Sequence, residues 1–253
     1  MAAGANGGGF VHGLPALALA YGVDEGWARR VGGGSGHDHA PDRERRREGA
    51  TGSGVAVDAR HVLTNAHVVE DARRIDVGGE RGTLASELVF SDAQNDLALL
   101  RVAEPLPAAA RFRAGLELHL GEEVVALGFP LQGLLGSGPQ ASAGNVAGLC
   151  GVGNDCTRFQ FTAPIASGNS GGPILDASGQ VIGLVCSSLN LDRVRASGSN
   201  AENVNFAIRG AVVRSFLDAF GLTPVVAEPT AAMPRAAMVR EARASLYRIG
   251  VEC

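Results

Sequence analysis

From Thr51 onward the chain consists of short apolar runs that are each bounded by Gly, Asn or Asp. Runs of this length with turn residues at both ends are typical of β-strands. Because no helical pattern alternates with them, they favour a sandwich or barrels. Apolar residues recur at helical spacing in Ala211–Phe220, which predicts a helix there. The predicted strands are Gly54–Val57, Val62–Thr64, Arg74–Val77, Thr83–Phe90, Leu97–Val102, Glu123–Gly128, Ala141–Leu149, Phe159–Thr162, Gln180–Cys186 and Asn203–Ile208.

Composition excludes several classes of function. The net charge is -4 and no basic face or nucleic-acid motif is present, so we expect no nucleic-acid partner. No run approaches the ~18 consecutive apolar residues that span a bilayer, so no membrane span is predicted. All 22 basic residues are Arg, which excludes chemistry that depends on Lys.

Three motifs contain residue types that carry hydrolytic chemistry. His67 lies just past a predicted strand, Asp96 begins an apolar run, and Ser170 lies in Gly168-Asn169-Ser170-Gly171-Gly172-Pro173. Taken alone, such a His is more often structural, and such an Asp is more often a turn residue or cap. The Ser is harder to explain as structure, because a turn needs neither two flanking glycines nor a following Pro. A reactive Ser does gain from glycines that let a substrate backbone approach closely.

The order of the motifs along the chain distinguishes between hydrolase arrangements. Enzymes with a G-x-S-x-G elbow have Ser before Asp before His, and subtilisin-like enzymes have Asp before His before Ser. The order His67, Asp96, Ser170 fits the chymotrypsin arrangement, with the first two residues in one β-barrel and the Ser in a second.

The sequence resembles chymotrypsin-fold (trypsin-like) serine endopeptidases, nearest to the bacterial high-temperature-requirement (Deg/HtrA-type) proteases, over about residues 51–220. The resemblance implies an all-β, two-barrel chymotrypsin-like fold with a C-terminal helix. It predicts a protease domain at 51–221, with barrels at about 51–122 and 123–221, and a C-terminal tail at 222–253. Besides the three motifs, it rests on Thr51-Gly52-Ser53-Gly54, Gly128-Phe129-Pro130 and Asn205-Phe206-Ala207-Ile208.

The resemblance also assigns a role to each motif residue. Ser170 would be the nucleophile, His67 its general base, and Asp96 the acid that orients His67. The backbone N–H groups of Gly168 and Ser170 would form the oxyanion hole. The implied function is hydrolysis of peptide bonds in polypeptide substrates through an acyl-enzyme, in protein quality control or processing, without metal or organic cofactor. Two alternatives stay open: a catalytically silent peptide-binding protein on the same fold, and an esterase with the same triad.

Two features distinguish the sequence from the Deg/HtrA-type proteases. No peptide-binding (PDZ) domain is recognisable after the protease segment, and residues 1–50 show little of the aromatic pattern used there for trimerisation. Neither feature supports peptide-gated, oligomeric regulation, and the sequence leaves the oligomeric state open. The Gly- and Arg-rich composition of residues 1–50 predicts a mobile segment.

In this fold three stretches line the pocket for the side chain on the acyl side of the scissile bond. The resemblance places them at Pro164-Ile165-Ala166-Ser167, Cys186-Ser187-Ser188 and Asn205. Pro164 occupies the position that carries an acid in relatives that cleave after Arg or Lys. Because a guanidinium would be left unpaired there, we expect a preference for small or medium aliphatic side chains.

The cysteines bear on the cellular compartment. Cys150 and Cys156 flank the Gly-rich loop 151–155, and the even count of four suits an oxidising compartment, so a disulfide between these two is predicted. The alternative is four free thiols in a reducing cytoplasm. The stretch Leu14–Ala20 resembles the core of an export signal, although no Arg or Lys precedes it. A periplasmic or secreted location is favoured over a cytoplasmic one.

Overall fold

The structure, a computed structural model, describes residues 51–131, 136, 138–188 and 204–253. The predictions for residues 1–50, including the export-signal core, lie outside the described residues, as does Asn203 at the start of the last predicted strand. Within the described ranges, no helix has the length and hydropathy needed to cross a membrane.

Six antiparallel strands close into a first barrel, which carries His67 and Asp96 at its rim. Neighbouring strands follow the order β1-β14-β3-β4-β5-β2, with β2 pairing back onto β1. His67 follows β2, and Asp96 immediately precedes β5. The strands are β1 (Thr51–Ala56), β2 (His61–Thr64), β3 (Arg74–Gly79), β4 (Gly82–Asp92), β5 (Leu97–Val102) and β14 (Leu246–Glu252).

A second ring of six strands carries Ser170 on one of its loops. Its order is β10-β7-β8-β9-β12-β11, and antiparallel pairing of β10 with β11 closes it. Two further strands, β6 and β13, extend the sheet from β11 in parallel. The prediction of an all-β, two-barrel fold is thereby confirmed. The strands are β6 (Arg111–Arg113), β7 (Glu123–Gly128), β8 (Gln140–Gly148), β9 (Arg158–Phe161), β10 (Pro173–Leu175), β11 (Val181–Ser188), β12 (Asn205–Arg209) and β13 (Val225–Ala227).

The last strand of the chain belongs to the first barrel. β14 lies between β1 and β3, with Ile249 opposite Gly52 on one side and opposite Val77 on the other. Residues 222–253, expected from the sequence to form a tail beyond the two barrels, therefore supply a structural strand. The first barrel cannot close from residues 51–122 alone, because β1 and β3 are joined through β14.

The helices lie after the second barrel. α1 (Gly210–Ala219) follows β12 directly and agrees with the predicted helix to within one residue at each end. It buries Val213, Phe216 and Leu217 along one face. α2 (Arg235–Ala242) was not predicted, and it buries only Met238. Single 3₁₀ turns occupy Val152–Asn154 and Arg243–Ser245.

The two barrels share a buried apolar layer in addition to their own interiors. On β5, Leu97 and Leu99 face the shared layer, whereas Ala98 and Leu100 face the interior of the first barrel. Side chains alternate along a strand, so a run that is apolar at every position is buried on both faces. The layer also contains Leu63, Phe112, Leu127, Leu184, Phe206, Val213 and Leu217, which come from both barrels and from α1.

The role of β14 predicts a difference between two matched substitutions. Val251 on β14 is 4% exposed, whereas Val225 on β13 is 50% exposed. Val251→Ala should lower the free energy of unfolding by about 2 kcal/mol, because two methyl groups leave a packed core. Val225→Ala should change it by less than about 0.5 kcal/mol. Urea unfolding of both variants measures this, and equal small losses would contradict a structural β14.

Candidate active site

His67 lies in the turn after β2, and its imidazole faces Asp96. Its Nδ1 is 2.9 Å from both carboxylate oxygens of Asp96. The backbone N–H of His67 also donates to Oδ1 of Asp96, at 3.1 Å. The His side chain is 46% exposed and the Asp side chain 17%. A carboxylate in this place accepts a hydrogen bond from the Nδ1–H group. This leaves Nε2 as the ring nitrogen that can accept a proton.

Asn65 holds the backbone of Asp96 in an uncommon conformation. Asp96 has a φ of 58°, in the left-handed region that residues other than Gly visit rarely. The fully buried Asn65 donates from Nδ2 to the carbonyl oxygen of Asp96 at 2.9 Å. This bond joins the turn that carries His67 to the turn that carries Asp96.

The turn between β4 and β5 is built around Asp92. Its Oδ1 accepts the backbone N–H groups of Gln94 and Asn95, at 3.0 and 3.1 Å, and its Oδ2 accepts Nδ2 of Asn95 at 2.6 Å. Burial alone would raise the pKa of Asp92. The bonds from Asn95 and Gln94 outweigh burial and hold the pKa below the ordinary value of 3.8. The charged form of Asp92 therefore stabilises the turn that leads into Asp96.

Ser170 lies in a tight loop between β9 and β10 whose backbone is fixed on two sides. The carbonyl of Ser170 accepts the N–H of Ser53 on β1 at 2.8 Å, and the N–H of Gly171 donates to the carbonyl of Val185 on β11 at 2.8 Å. Gly168 and Gly171 have φ angles of +99° and +83°, which disfavour any residue with a side chain. The glycines on either side of Ser170 are therefore required by the shape of the loop.

The backbone N–H groups of Gly168 and Ser170 find no acceptor among the described residues. The carbonyl of Ser167 accepts the N–H of Leu131 at 2.8 Å. Because the C=O and N–H of a trans peptide point in opposite directions, this bond directs the N–H of Gly168 away from Leu131. Two unpaired amide N–H groups, two residues apart in one tight loop, can together receive a negatively charged oxygen.

The segments that carry His67 and Ser170 meet at β1. Ser53 donates its N–H to the carbonyl of Ser170, and its own carbonyl accepts Oγ1 of Thr64 at 2.7 Å, three residues before His67. Within the described part of the chain, the Ser170 hydroxyl makes no hydrogen bond to His67. Catalytic hydrogen bonds are often long in proteins without substrate and tighten when substrate binds.

The predicted pocket residues lie on the loop before Ser170 and on β11 and β12. Pro164 and Ser167 are exposed, whereas Ile165 and Ala166 are partly buried. Asn205 on β12 is buried, and its Nδ2 donates to the carbonyl of Ala163 at 2.9 Å. This bond attaches β12 to the start of the loop, which brings two of the three predicted stretches together.

The third predicted stretch lies on β11. Its sulfur-containing residue, Cys186, is buried in the layer between the barrels, and its Sγ lies 3.3 Å from the carbonyl of Phe206. The backbones of Ser187 and Ser188 pair with Phe206 and Asn205 on β12. The end of β11 and the start of β12 therefore run side by side next to the loop.

Cys150 and Cys156 are close neighbours, as the predicted disulfide requires, but both are free thiols in this structure. Their Sγ atoms are 3.2 Å apart, within hydrogen-bond distance. That hydrogen bond raises the pKa of the Cys150 thiol above 9.0. The disulfide stays a prediction about the protein in an oxidising environment.

The described residues contain no group of three or more His, Cys, Asp or Glu side chains that could hold a metal ion. The site itself offers the side chains of His67, Asp96 and Ser170 and the backbone amides of the Ser170 loop.

Sequence reasoning missed the roles of Asn65 and Ser53, although both lie in the motifs that carry the resemblance. Asn65 is a fully buried amide within the His motif, and Ser53 is a fully buried hydroxyl within Thr51–Gly54. A polar residue in a run of buried strand positions was the available signal, since buried polar groups are nearly always hydrogen-bonded.

The Asp92 turn predicts a stability difference that depends on pH. The pKa of Asp92 is lower in the folded chain than its ordinary 3.8, so its contribution is complete above that value and is lost as the pH falls through the folded value. Asp92→Ala should cost about 1 kcal/mol or less at about pH 7, given the partial exposure of the turn, and still less at about pH 3. Urea unfolding at both pH values tests this, with the exposed-site variant Asp218→Ala as control. A gap that stays constant or widens in acid would be inconsistent with this account.

Comparison with known proteins identifies the family. Residues 52–184 match the trypsin-like peptidase domain family. Over 197 residues the chain is 41% identical to the uncharacterized protein y4bJ of Sinorhizobium fredii, covering 76% of this chain and 30% of that protein. It is 32% identical over 186 residues to the periplasmic pH-dependent serine endoprotease DegQ of Escherichia coli, covering 70% and 39%. The chain thus spans about a third of these two relatives.

A solved structure agrees with the sequence relatives. The HtrA-type protease AlgW, determined with a decapeptide, superposes with a TM-score of 0.56 at 27% identity, covering 66% of this chain and 50% of that one. Residues 52–184, which match the family model, include the Asp96 turn and the Ser170 loop. The chain therefore belongs to the trypsin-like peptidase family and is similar to Deg/HtrA-type serine proteases.

Proposed function

We propose that the protein is a serine endopeptidase in which His67, Asp96 and Ser170 act as a catalytic triad. The observation that carries the proposal is the contact of the Asp96 carboxylate with both Nδ1 and the backbone N–H of His67. This contact orients the imidazole and stabilises it once it is protonated. The unpaired amides of Gly168 and Ser170 lie in the loop that would receive the substrate carbonyl.

The proposed reaction forms and then hydrolyses an acyl-enzyme. Oγ of Ser170 attacks the scissile carbonyl carbon while Nε2 of His67 takes the hydroxyl proton. The negative oxygen of the tetrahedral intermediate accepts hydrogen bonds from the N–H groups of Gly168 and Ser170. The C–N bond then breaks, and His67 gives its proton to the leaving amine. A water molecule, deprotonated by His67, attacks the ester and releases the acid product and the free Ser170 hydroxyl.

The pocket is proposed to accept small or medium aliphatic side chains on the acyl side of the scissile bond. Among the pocket stretches, the Pro164–Ser167 segment, Cys186 and Asn205 carry no formal charge at neutral pH. A bound Arg would therefore find no carboxylate among them, and burying an unpaired guanidinium is unfavourable.

We further propose that the protein processes or removes polypeptides outside the cytoplasm, in the periplasm or after secretion. The support is the similarity to DegQ, whose name describes a periplasmic endoprotease. The paired positions of Cys150 and Cys156 are compatible with an oxidising compartment.

The triad predicts a non-additive pattern of losses. Ser170→Ala should lower kcat by about 10⁶-fold without unfolding the protein, because the three residues act as a unit. His67→Ala should cost about as much, and the double variant little more than either one. Steady-state kinetics on a peptide substrate, with circular dichroism as the folding control, provide the measurement. A double variant whose loss of transition-state free energy equals the sum of the two single losses would disprove the triad.

The pocket composition predicts the cleavage profile. Digestion of a peptide library should show Val, Ala, Ile or Leu on the acyl side of most cleaved bonds, and Arg or Lys in few of them. Sequencing the products of the wild-type protein and of Ser170→Ala in parallel removes background cleavage. A profile dominated by Arg would show that the pocket has been assigned incorrectly.

A further inference from the structure

Ser53 makes four hydrogen bonds where the two barrels meet, and all of them are buried. Its N–H donates to the carbonyl of Ser170 at 2.8 Å, and its carbonyl accepts Oγ1 of Thr64 at 2.7 Å. Its hydroxyl donates to the carbonyl of Gly168 at 2.6 Å and accepts the N–H of Phe129 at 2.9 Å. The residue itself is fully buried in β1.

Two of these bonds hold the peptides that follow Gly168 and Ser170. The 168–169 peptide, held through the Gly168 carbonyl, lies between the two peptides whose N–H groups form the proposed oxyanion hole. We propose that Ser53 is a positioning residue for that hole, which rests on the proposed function of the site. The backbone N–H of Ser53 holds the peptide between Ser170 and Gly171, and its hydroxyl holds the peptide between Gly168 and Asn169. The peptide that carries the Gly168 N–H is held by the bond from the N–H of Leu131 to the carbonyl of Ser167 at 2.8 Å, and the Asn169 carbonyl accepts the N–H of Gly172 at 2.9 Å.

The bond to the Gly168 carbonyl matters because glycine has no side chain that restricts its backbone dihedral angles. Gly168 has a φ of +99°, and a glycine can adopt several other backbone conformations at little cost. Without the Ser53 hydroxyl, the Gly168 carbonyl and the Phe129 N–H would lose their partner inside the protein, and unpaired buried groups are unfavourable. Because the 168–169 peptide joins the peptides that carry the Gly168 and Ser170 N–H groups, its rotation would change the direction of one N–H relative to the other.

The Ser53 hydroxyl lies close to the backbone of β7 and to the Ser170 loop. A Cβ placed on Gly128 would lie 2.8 Å from Oγ of Ser53 and 2.5 Å from Oδ1 of Asn169. From β1, this hydroxyl reaches both the carbonyl of Gly168 and the N–H of Phe129, which follows β7 of the second barrel. Through Ser53, the packing of the first barrel against the second sets the geometry of the Ser170 loop.

The test compares Ser53→Ala with Ser245→Ala in the full chain. Ser245 is also buried, and its hydroxyl makes one bond to the carbonyl of Ala242 at 3.0 Å, outside the site. With a fluorogenic peptide that ends in Val, Ser53→Ala should lower kcat by about 10- to 100-fold and change KM by less than about 3-fold. Ser245→Ala should leave both constants unchanged, even if its midpoint of thermal unfolding falls as far.

A transition-state analogue gives a readout that general destabilisation would not move. A peptide boronic acid forms a negatively charged tetrahedral adduct when Ser170 adds to boron, and an oxygen of that adduct enters the oxyanion hole. The matching product peptide forms no such adduct. Ser53→Ala should weaken the binding of the boronic acid by about the factor by which it lowers kcat, and it should leave the affinity for the product peptide unchanged. All measurements are made at a temperature at which circular dichroism shows the variant to be folded.

Each outcome decides between the possibilities. A folded Ser53→Ala with wild-type kcat, or with equal losses for the boronic acid and the product peptide, overturns the role of Ser53 while leaving the protease itself intact. A wild-type protein that cleaves no peptide overturns the proposed function instead. If Ser53→Ala does not fold, Ser53→Cys, which keeps a weak donor of similar size, is scored by the same criteria and should show an intermediate loss of kcat.

Discussion

The hydrogen bond from Ser53 to the carbonyl of Ser170 is the constraint on which the arrangement of the site depends. It joins β1 of the first barrel to the loop of the second barrel that carries the proposed nucleophile. The His67 turn is attached to the same strand through Thr64. Neither barrel alone contains all three residues of the proposed triad, so the proposed chemistry requires the two barrels to pack in one fixed relation. The apolar layer between them, with Leu99 and Leu127 among its members, provides that packing.

The first barrel in turn depends on the end of the chain. β14 fills the gap between β1 and β3, so the strand that contacts the Ser170 loop is supported from both sides by hydrogen bonds. A segment nearly 200 residues away in sequence therefore stabilises β1.

The sequence allowed most of the fold and the main site residues to be predicted, for physical reasons that differ between elements. Strands such as β5 and β7 are long and apolar enough to show a pattern, and α1 shows helical spacing. β6 and β10 have three residues each, too few to show any period. β14 does alternate between buried and more exposed residues over part of its length, but nothing local indicates that its partners are β1 and β3.

The same division applies to the site. His67, Asp96 and Ser170 could be predicted because their chemistry and order along the chain are distinctive. Asn65 and Ser53 could not, because their roles depend on which distant backbone groups they meet. The side chain of Asn65 reaches a carbonyl 31 residues away, and that of Ser53 reaches one 115 residues away.

The most direct test of the central claim is the reaction of the folded protein with a fluorophosphonate, followed by mass spectrometry of the intact chain and of its peptides. Such a reagent modifies a serine that a neighbouring base has activated. The account predicts one adduct per chain, located on Ser170 and abolished by His67→Ala or by unfolding in urea before the reaction. A folded wild-type protein that forms no adduct on Ser170, or that forms it equally well without His67, would contradict a catalytic triad and favour a peptide-binding protein without catalysis.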